Sequence, residues 1–183
     1  MILRNRICIT CVRGFTMIEL VAVIVLVGIL AAFAAPRFVR NESFDARTFA
    51  DQNMSMLRYA QKLAIAQNRP VFAVLGANRI ALCFTAVCDE ANRVLAPAGA
   101  NSVSSATVAQ CGGPATWFCE GRPNNVSYTM LPANPVLYFN ALGRPFLNGN
   151  VDPVSTFVGL TIVIAGGGNT RNVVVEAETG YVH

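Results

Sequence analysis

The residue with the clearest chemical signature is Glu19, a carboxylate near the start of an otherwise apolar run from residue 15 to residue 35. The run has about the ~20 residues that a helix needs to cross a hydrocarbon core. A charged side chain inside such a segment costs roughly 2.5–3.5 kcal/mol on insertion scales. An acid in this segment therefore predicts a function. In a medium of low dielectric constant, its negative charge would be compensated by a neighbouring cation.

A short basic segment precedes the apolar run and ends at Gly14. Its charged residues are Arg4, Arg6 and Arg13, with no acid among them. Positive charge on this flank predicts that the amino terminus stays in the cytoplasm. An ordinary secretory signal is the alternative, since residues 31–35 could form a small-residue cleavage site. The acid inside the run, the length of the run and a Gly–Phe junction before it all favour a different processing signal.

The segment Gly14-Phe15-Thr16-Met17-Ile18-Glu19-Leu20 resembles the prepilin processing motif of type IV pilins and type II secretion pseudopilins. The resemblance implies that a prepilin peptidase cleaves after Gly14 on the cytoplasmic face and N-methylates Phe15. Glu19 then becomes the fifth residue of the mature chain. Pro36 becomes the twenty-second residue, where many pilins have a proline that kinks the helix.

The resemblance also implies a role for Glu19 in assembly. Pilin subunits stack through their N-terminal helices, and the carboxylate of one subunit would pair with the Phe15 amine of its neighbour and fix the axial register. Before assembly, the same side chain can extend to the cytoplasmic headgroups. The implied partners are the prepilin peptidase, major and other minor pilins or pseudopilins, and an inner-membrane assembly platform with its ATPase. The implied location is the bacterial inner membrane, single-pass with the head in the periplasm, and then the pilus or pseudopilus fibre.

This interpretation predicts an α+β pilin fold, in which a long N-terminal helix packs on an antiparallel β-sheet head. The segments are a cleaved leader (1–14), a transmembrane and assembly helix (15–38), an amphipathic continuation of that helix (39–69) and a β-rich periplasmic head (70–183). Ser43 is the expected N-cap of the amphipathic part. Its apolar stripe is predicted at three- and four-residue steps, at Phe49, Met56, Ala60, Leu63 and Ala64.

Strand patterns begin after Pro70. Residues 71–75 and 79–84 flank a turn and predict a hairpin, and further strands are predicted at 126–130, 136–140, 157–164 and 172–177. Residues 166–169 read as a flexible hairpin tip rather than a phosphate loop, because no Lys, Ser or Thr follows at the required place. Residues 89–125 have little periodicity and predict a long loop. Within it, Trp117 and Phe118 could be a partner anchor or a local core.

Cysteine usage agrees with export. Cys8 and Cys11 lie in the leader, and four cysteines remain after its removal: Cys83, Cys88, Cys111 and Cys119. An even number in an oxidising compartment predicts two disulfides, and four cysteines allow three pairings. The spacing favours Cys83–Cys88 and Cys111–Cys119. No metal site or cofactor is expected, since His183 is the only histidine.

The charge balance gives no reason to expect a nucleic-acid surface. The whole chain carries 14 Lys+Arg and 10 Asp+Glu, and loss of the three leader arginines leaves 11 basic residues. The exported part is therefore nearly neutral. No catalytic residues are predicted, because Asp89 and Glu90 lie in loop sequence and His183 is expected to be solvated. The chain is expected to be no enzyme.

The C-terminal half carries a second resemblance. Residues 138–145, 171–175 and 179–182 resemble the minor-pilin group that contains the H-type pseudopilin of type II secretion, the FimT-like minor pilins and the minor pilins of mannose-sensitive haemagglutinin (MSHA) pili. The resemblance implies a low-abundance subunit of an MSHA-type pilus, with the H-type pseudopilin as the alternative. A DNA-uptake pilin is disfavoured, because residues 178–183 contain an acid and no arginine cluster.

Overall fold

The computed structural model describes residues 15–38 and 41–183, and these belong to two compact units that divide after residue 40. In the first unit, helix α1 spans Met17–Phe38. Over the two described ranges, no helix is long and apolar enough to cross a membrane. The predicted leader (1–14) lies outside the described residues, as do residues 39 and 40, through which one continuous helix was expected.

The second unit begins with helix α2, Asn41–Gln67. The predicted helix is confirmed, but Ser43 is not its N-cap, because the helix has already started at Asn41. The helix ends at Gln67, and the next residue, Asn68, has a left-handed φ of 49°, a conformation that commonly terminates helices. The buried face of α2 carries Ala46, Phe49, Ala50, Asn53, Met56, Leu57, Ala60 and Ala64. This face includes four of the five predicted stripe residues, and Leu63 is partly buried against it.

Eight strands follow α2, all paired antiparallel. They are β1 (Val71–Gly76), β2 (Arg79–Cys83), β3 (Cys119–Gly121), β4 (Ser127–Leu131), β5 (Val136–Phe139), β6 (Pro145–Leu147), β7 (Leu160–Gly166) and β8 (Asn169–Val175). One sheet has the order β3-β2-β1-β5-β6 and the other the order β4-β7-β8. The predicted hairpin is β1–β2, with Val74 opposite Ala81.

Helix α2 packs against both sheets. Alternate residues of β1, β7 and β8 point to the helix because successive side chains of a strand face opposite sides. The largest side chains in this core are the aromatic ones, Phe49, Tyr128, Phe139 and Phe157. The predicted α+β class, with a helix on antiparallel sheet, is confirmed.

The segment predicted as a long loop, residues 89–125, is irregular over most of its length, but three short elements within it were not predicted. It contains a 3₁₀ turn at Glu90–Asn92, helix α3 at Ser105–Cys111, and β3. These elements cover the second face of β2 and close a small core of Ala81, Cys83, Cys111, Trp117 and Cys119. A seven-residue helix and a three-residue strand are too short to show periodicity, which is why the pattern analysis missed them.

The turn between β7 and β8 is seated on the first turn of α2. A Cβ atom at Gly167 would lie 2.6 Å from the backbone nitrogen of Ser43, and one at Gly166 would lie 2.9 Å from the carbonyl oxygen of Glu42. Gly167 also has a φ of 57°. The turn predicted here is present, and its glycines allow a backbone-to-backbone approach that larger residues would prevent.

Candidate assembly site

Helix α1 starts immediately after the predicted processing junction. The backbone amide of Glu19 donates a hydrogen bond to Oγ1 of Thr16 at 3.3 Å, and the amide of Leu20 donates to the carbonyl oxygen of Thr16 at 3.1 Å. Thr16 is therefore the N-cap, and Glu19 is at the third helical position. A threonine followed three residues later by glutamate is the capping-box sequence, so this signal was readable in the chain and was missed.

The predicted site residues are only partly accessible to description. Gly14 lies outside the described residues. Phe15 precedes the helix and is 79% exposed, and Glu19 is also exposed. Pro36 lies in the last turn of α1, and the kink expected there stays a prediction.

The surface of α1 is apolar on every side. Residues 15–31 are all exposed, and five consecutive residues, 23–27, are apolar and each 47–60% exposed. Five residues exceed one full turn of an α-helix. A helix that is apolar around its whole circumference requires an apolar environment. The exposed part of α1, residues 17–31, therefore favours an apolar environment.

Glu19 is the one acid in this apolar surface. At the first turn, its negative charge interacts favourably with the N-terminal end of the helix dipole. Once the surrounding surface is covered, the carboxylate needs a hydrogen-bonded cation, because an unpaired charge in an apolar medium is strongly unfavourable. Cleavage after Gly14 would create such a cation, the amine of Phe15, at the same end of every subunit.

The structure joins the four cysteines of the head in the two pairs that their spacing favours. The Cα atoms of Cys83 and Cys88 are 5.2 Å apart, and those of Cys111 and Cys119 are 6.0 Å apart. Both cystines border the small core around Trp117. They therefore fix the segment that covers the second face of β2.

Trp117 belongs to this small core and is not a surface anchor. It is 2% exposed, and its indole Nε1 donates to the carbonyl oxygen of Leu82 at 3.2 Å. The Arg93 guanidinium lies 4.4 Å from the ring centroid, in a cation–π contact. Phe118 is partly buried and packs edge-on against Tyr59 at 5.4 Å. Of the two readings of this pair, the local core is the correct one.

A buried carboxylate network holds the same segment together. Glu120 is 4% exposed, and it accepts hydrogen bonds from the Ser102 amide at 2.8 Å and from the Thr107 hydroxyl at 2.9 Å. The Ser102 hydroxyl and Gln52 also donate to it. Several donors satisfy a buried carboxylate. No sequence pattern singled out Glu120, because its neighbours are 13 to 68 residues away.

The remaining ionisable groups have local structural roles. Asp89 caps the 3₁₀ turn by accepting from the Asn92 amide at 3.1 Å. His183, expected to be solvated, has its Nε2 3.0 Å from Glu176 and its ring stacked on Tyr181. Among the described residues, no group of three or more potential ligands could hold a metal ion.

Comparison with known proteins identifies the N-terminal segment. The prokaryotic N-terminal methylation motif matches residues 10–35. Over 50 residues the chain is 44% identical to the type IV major pilin protein PilA of Myxococcus xanthus (strain DK1622). That match includes 27% of this chain and spans about a quarter (23%) of the length of PilA.

Two solved structures show a more distant similarity to the chain. Two crystal forms of the type IV minor pilin FimU of Pseudomonas aeruginosa (strain PAO1) match 75% of this chain, with TM-scores of 0.47 and 0.45. They cover 85% and 90% of the FimU chain at 17% and 19% identity.

The methylation motif and the PilA match show that the N-terminal segment of this chain is similar to that of type IV pilins. The matched residues, 10–35, include the predicted junction between Gly14 and Phe15 and the acid Glu19.

Proposed function

We propose that this chain is a minor pilin, a low-abundance subunit of a type IV pilus, and that the pilus is of the MSHA type. The observation that carries the proposal is the contrast between the two units. The head closes a core of its own around α2 and two sheets, whereas residues 15–31 remain exposed. A folded head attached to an uncovered apolar helix is suited to a subunit that polymerises through that helix.

The proposed pathway starts with a precursor anchored in the inner membrane by residues 15–38, with the leader in the cytoplasm and the head in the periplasm. Prepilin peptidase cleaves between Gly14 and Phe15 and methylates the Phe15 amine. The assembly platform and its ATPase then move the subunit into the fibre, where Glu19 pairs with the Phe15 amine of a neighbour.

The choice of the MSHA system rests on the leader-to-helix sequence and on the cystine-bearing segment of the head. The second candidate is the H-type pseudopilin of type II secretion, which belongs to the same minor-pilin group that residues 138–145, 171–175 and 179–182 resemble. Both systems use the same processing and the same helix. They differ in what the cell loses when the subunit is absent.

Gene deletion with complementation separates these candidates. We expect a deletion strain to have few or no surface pili by electron microscopy while still secreting its exoproteins. Normal piliation with a secretion defect would reject the pilus assignment in favour of the pseudopilin. Mass spectrometry of the mature subunit tests processing, since cleavage and methylation predict a chain that starts at N-methylated Phe15. A mature subunit that retains residue 14 would refute the cleavage site.

A further inference from the structure

A polar cavity of about 460 Å³ lies between the start of α2 and the β7–β8 hairpin. Its lining includes Ser43, Phe44, Arg47, Asn169, Thr170 and Arg171. This volume is within the range of about 300–1,000 Å³ of small-molecule sites. The cavity is therefore large enough for a compact polar group such as a phosphodiester.

The lining has the chemistry of an oxyanion site. Its charged members are two arginines, and no acid lines it. A guanidinium presents paired N–H donors that match the oxygens of a phosphate. The hydroxyls of Ser43 and Thr170 and the amide of Asn169 add neutral donors. Two positive charges and neutral donors around one cavity favour an anion.

The arginines are available to a ligand. Arg47 lies 4.0 Å from Asp51 in an ion pair whose side chains are 66% and 67% exposed. Such exposed pairs contribute little, about 0–1 kcal/mol, so an anion can compete for the guanidinium. Arg171 lies in the exposed half of β8. Asp45 is close in sequence to the residues of the cavity, but it does not line the cavity. Its carboxylate accepts a hydrogen bond from Asn125 at 3.2 Å.

The cavity is built into the fold. Ser43 and Arg47 are one helical turn apart and so lie on the same face of α2. On the other side, Arg171 pairs with Ile164 and Thr170 pairs with Ala165 in the β7–β8 register. The close backbone contact of Gly166 and Gly167 with the first turn of α2 brings the two sides of the cavity together. The backbone positions of the two arginines are thus held on opposite sides of one cavity.

An exposed aromatic side chain shares the rim of the cavity. Phe44 is 69% exposed and belongs to the lining with the two arginines. Basic residues next to an exposed large apolar side chain are typical of surfaces that lie in a membrane interface. An acidic protein partner would explain the arginines alone, whereas a lipid explains the arginines and Phe44 together.

Few residues separate the lining of the cavity from α1 along the chain. Ser43 follows Phe38, the last residue of α1, by five residues. An extended chain spans at most about 3.6 Å per residue, so their Cα atoms are at most ~18 Å apart. If residues 15–38 are in the bilayer, the cavity is within reach of the periplasmic headgroups.

We propose that this cavity binds the phosphate of an anionic phospholipid while the subunit waits in the membrane, with Arg47 and Arg171 contacting the phosphate and Phe44 entering the acyl region. This inference rests on the proposed membrane-anchored precursor. Transfer into the fibre would then require release of the lipid. The chemical class of the ligand is an anionic glycerophospholipid headgroup.

The test compares full-length protein in lipid nanodiscs of pure phosphatidylcholine and of an equimolar mixture with phosphatidylglycerol. We expect backbone amides of residues 42–47 and 167–172 to exchange with deuterium several-fold more slowly in the anionic discs. The double variant Arg47→Gln/Arg171→Gln should lose this difference. Lys62→Gln should keep it, because Lys62 is an exposed cation on the same helix that does not line the cavity.

The outcomes separate this inference from the proposed function. Co-elution with both kinds of disc but equal exchange in them would overturn the lipid site and leave the membrane anchor intact. Failure to co-elute with either disc would remove the anchor and, with it, the lipid site. Protection that depends on added pilin subunits and not on phosphatidylglycerol would assign the cavity to a neighbouring protein and refute the proposal.

Discussion

Thr16 and Glu19 are joined by a hydrogen bond of 3.3 Å from the Glu19 amide to the Thr16 hydroxyl oxygen. Helix α1 therefore begins two residues after the predicted cleavage junction, and Glu19 is held in its first turn. The predicted cleavage junction, the N-cap of the helix and the acid proposed to pair with a neighbour thus lie within one short segment. Each role can be tested by a separate substitution.

Replacing Glu19 should impair assembly and leave processing intact. Leaving one member of a buried ion pair without its partner costs about 3–5 kcal/mol, so Glu19→Gln and Glu19→Val should be nearly absent from sheared pili. The mature mass of both should otherwise match that of the cleaved, methylated wild type. The measurements are mass spectrometry of membrane-extracted subunit and immunoblotting of the pilus fraction.

Glu42→Gln is the matched control for Glu19, because Glu42 is an exposed acid in the first turn of the other long helix. This variant should enter fibres normally. Wild-type levels of Glu19→Val in pili would contradict the hypothesis that Glu19 fixes the axial register between subunits. Equal loss of both variants would point to an effect of net charge.

Replacing Thr16 should weaken the first turn of α1. Loss of an N-cap typically costs about 1 kcal/mol, so Thr16→Val should increase deuterium exchange of the Glu19 amide by about fivefold, whereas Thr16→Ser should stay near wild type. The experiment uses full-length protein in detergent micelles. Equal exchange in the two variants would show that the hydroxyl does not act as a cap.

Gly121 should tolerate no side chain. A Cβ atom there would lie 2.2 Å from the carbonyl oxygen of Ala106, so α3 would have to move away from β3. We expect Gly121→Ala to lower the free energy of unfolding by roughly 1–3 kcal/mol or more, as in overpacked cores. Denaturation followed by Trp117 fluorescence measures this, since Trp117 is the only tryptophan and lies in the adjoining core.

Gly76→Ala is the control for Gly121→Ala. A Cβ atom at Gly76 would be 3.6 Å from its nearest neighbours, an ordinary contact. This variant should unfold close to the wild-type midpoint. A similar midpoint for both variants would contradict the tight packing of α3 on β3.

Tyr128 should make the head sensitive to alkaline pH. Burial raises the pKa of its phenol above the ordinary value of 10.0, and its hydroxyl donates to Oδ1 of the buried Asn53 at 3.1 Å. Above about pH 10 the unfolded chain loses this proton while the folded chain keeps it. The free energy of unfolding should thus be unaffected by this group below pH 10 and fall as the pH rises beyond it.

Tyr128→Phe tests the assignment. At neutral pH it should destabilise the head by about 1–3 kcal/mol, because it leaves the Asn53 oxygen buried without a donor. Above pH 10 its stability should fall less steeply than that of the wild type. The pKa of Tyr138 is also raised, by burial and by Asp152, and should account for part of the remaining slope. Parallel pH profiles for the two proteins would exclude Tyr128 as the cause.

The parts of the structure that follow local patterns could be predicted from the sequence. The stripe of α2 repeats over many turns, and the β1–β2 hairpin joins two apolar runs by a short turn, so both have strong periodic signals. The predicted cleavage and assembly residues come from one short contiguous motif. Only the capping role of Thr16 escaped notice there.

The parts that depend on distant contacts could not be predicted. Strand β4 leaves the sheet of its neighbours β3 and β5 and pairs with β7, placing Thr129 opposite Val163, and nothing local specifies that choice. Glutamate is a residue type that is usually found at the surface. Glu120 is buried because hydrogen-bond donors from α2 and α3 converge on its carboxylate. The cavity between the start of α2 and the β7–β8 hairpin is likewise lined by residues 43–47 and 169–171, which only the folded chain brings together.

The close seat of the β7–β8 turn on α2 also determines how the head would bear mechanical load. Force applied to the second unit through its first residue, Asn41, would reach this contact early, because Glu42 and Ser43 are the next two residues. The first contact to resist it is the backbone of Gly166 and Gly167 against Glu42 and Ser43, ahead of the deeper packing at Phe49. The contact that these glycines allow is thus the place where a subunit pulled at Asn41 would begin to unfold.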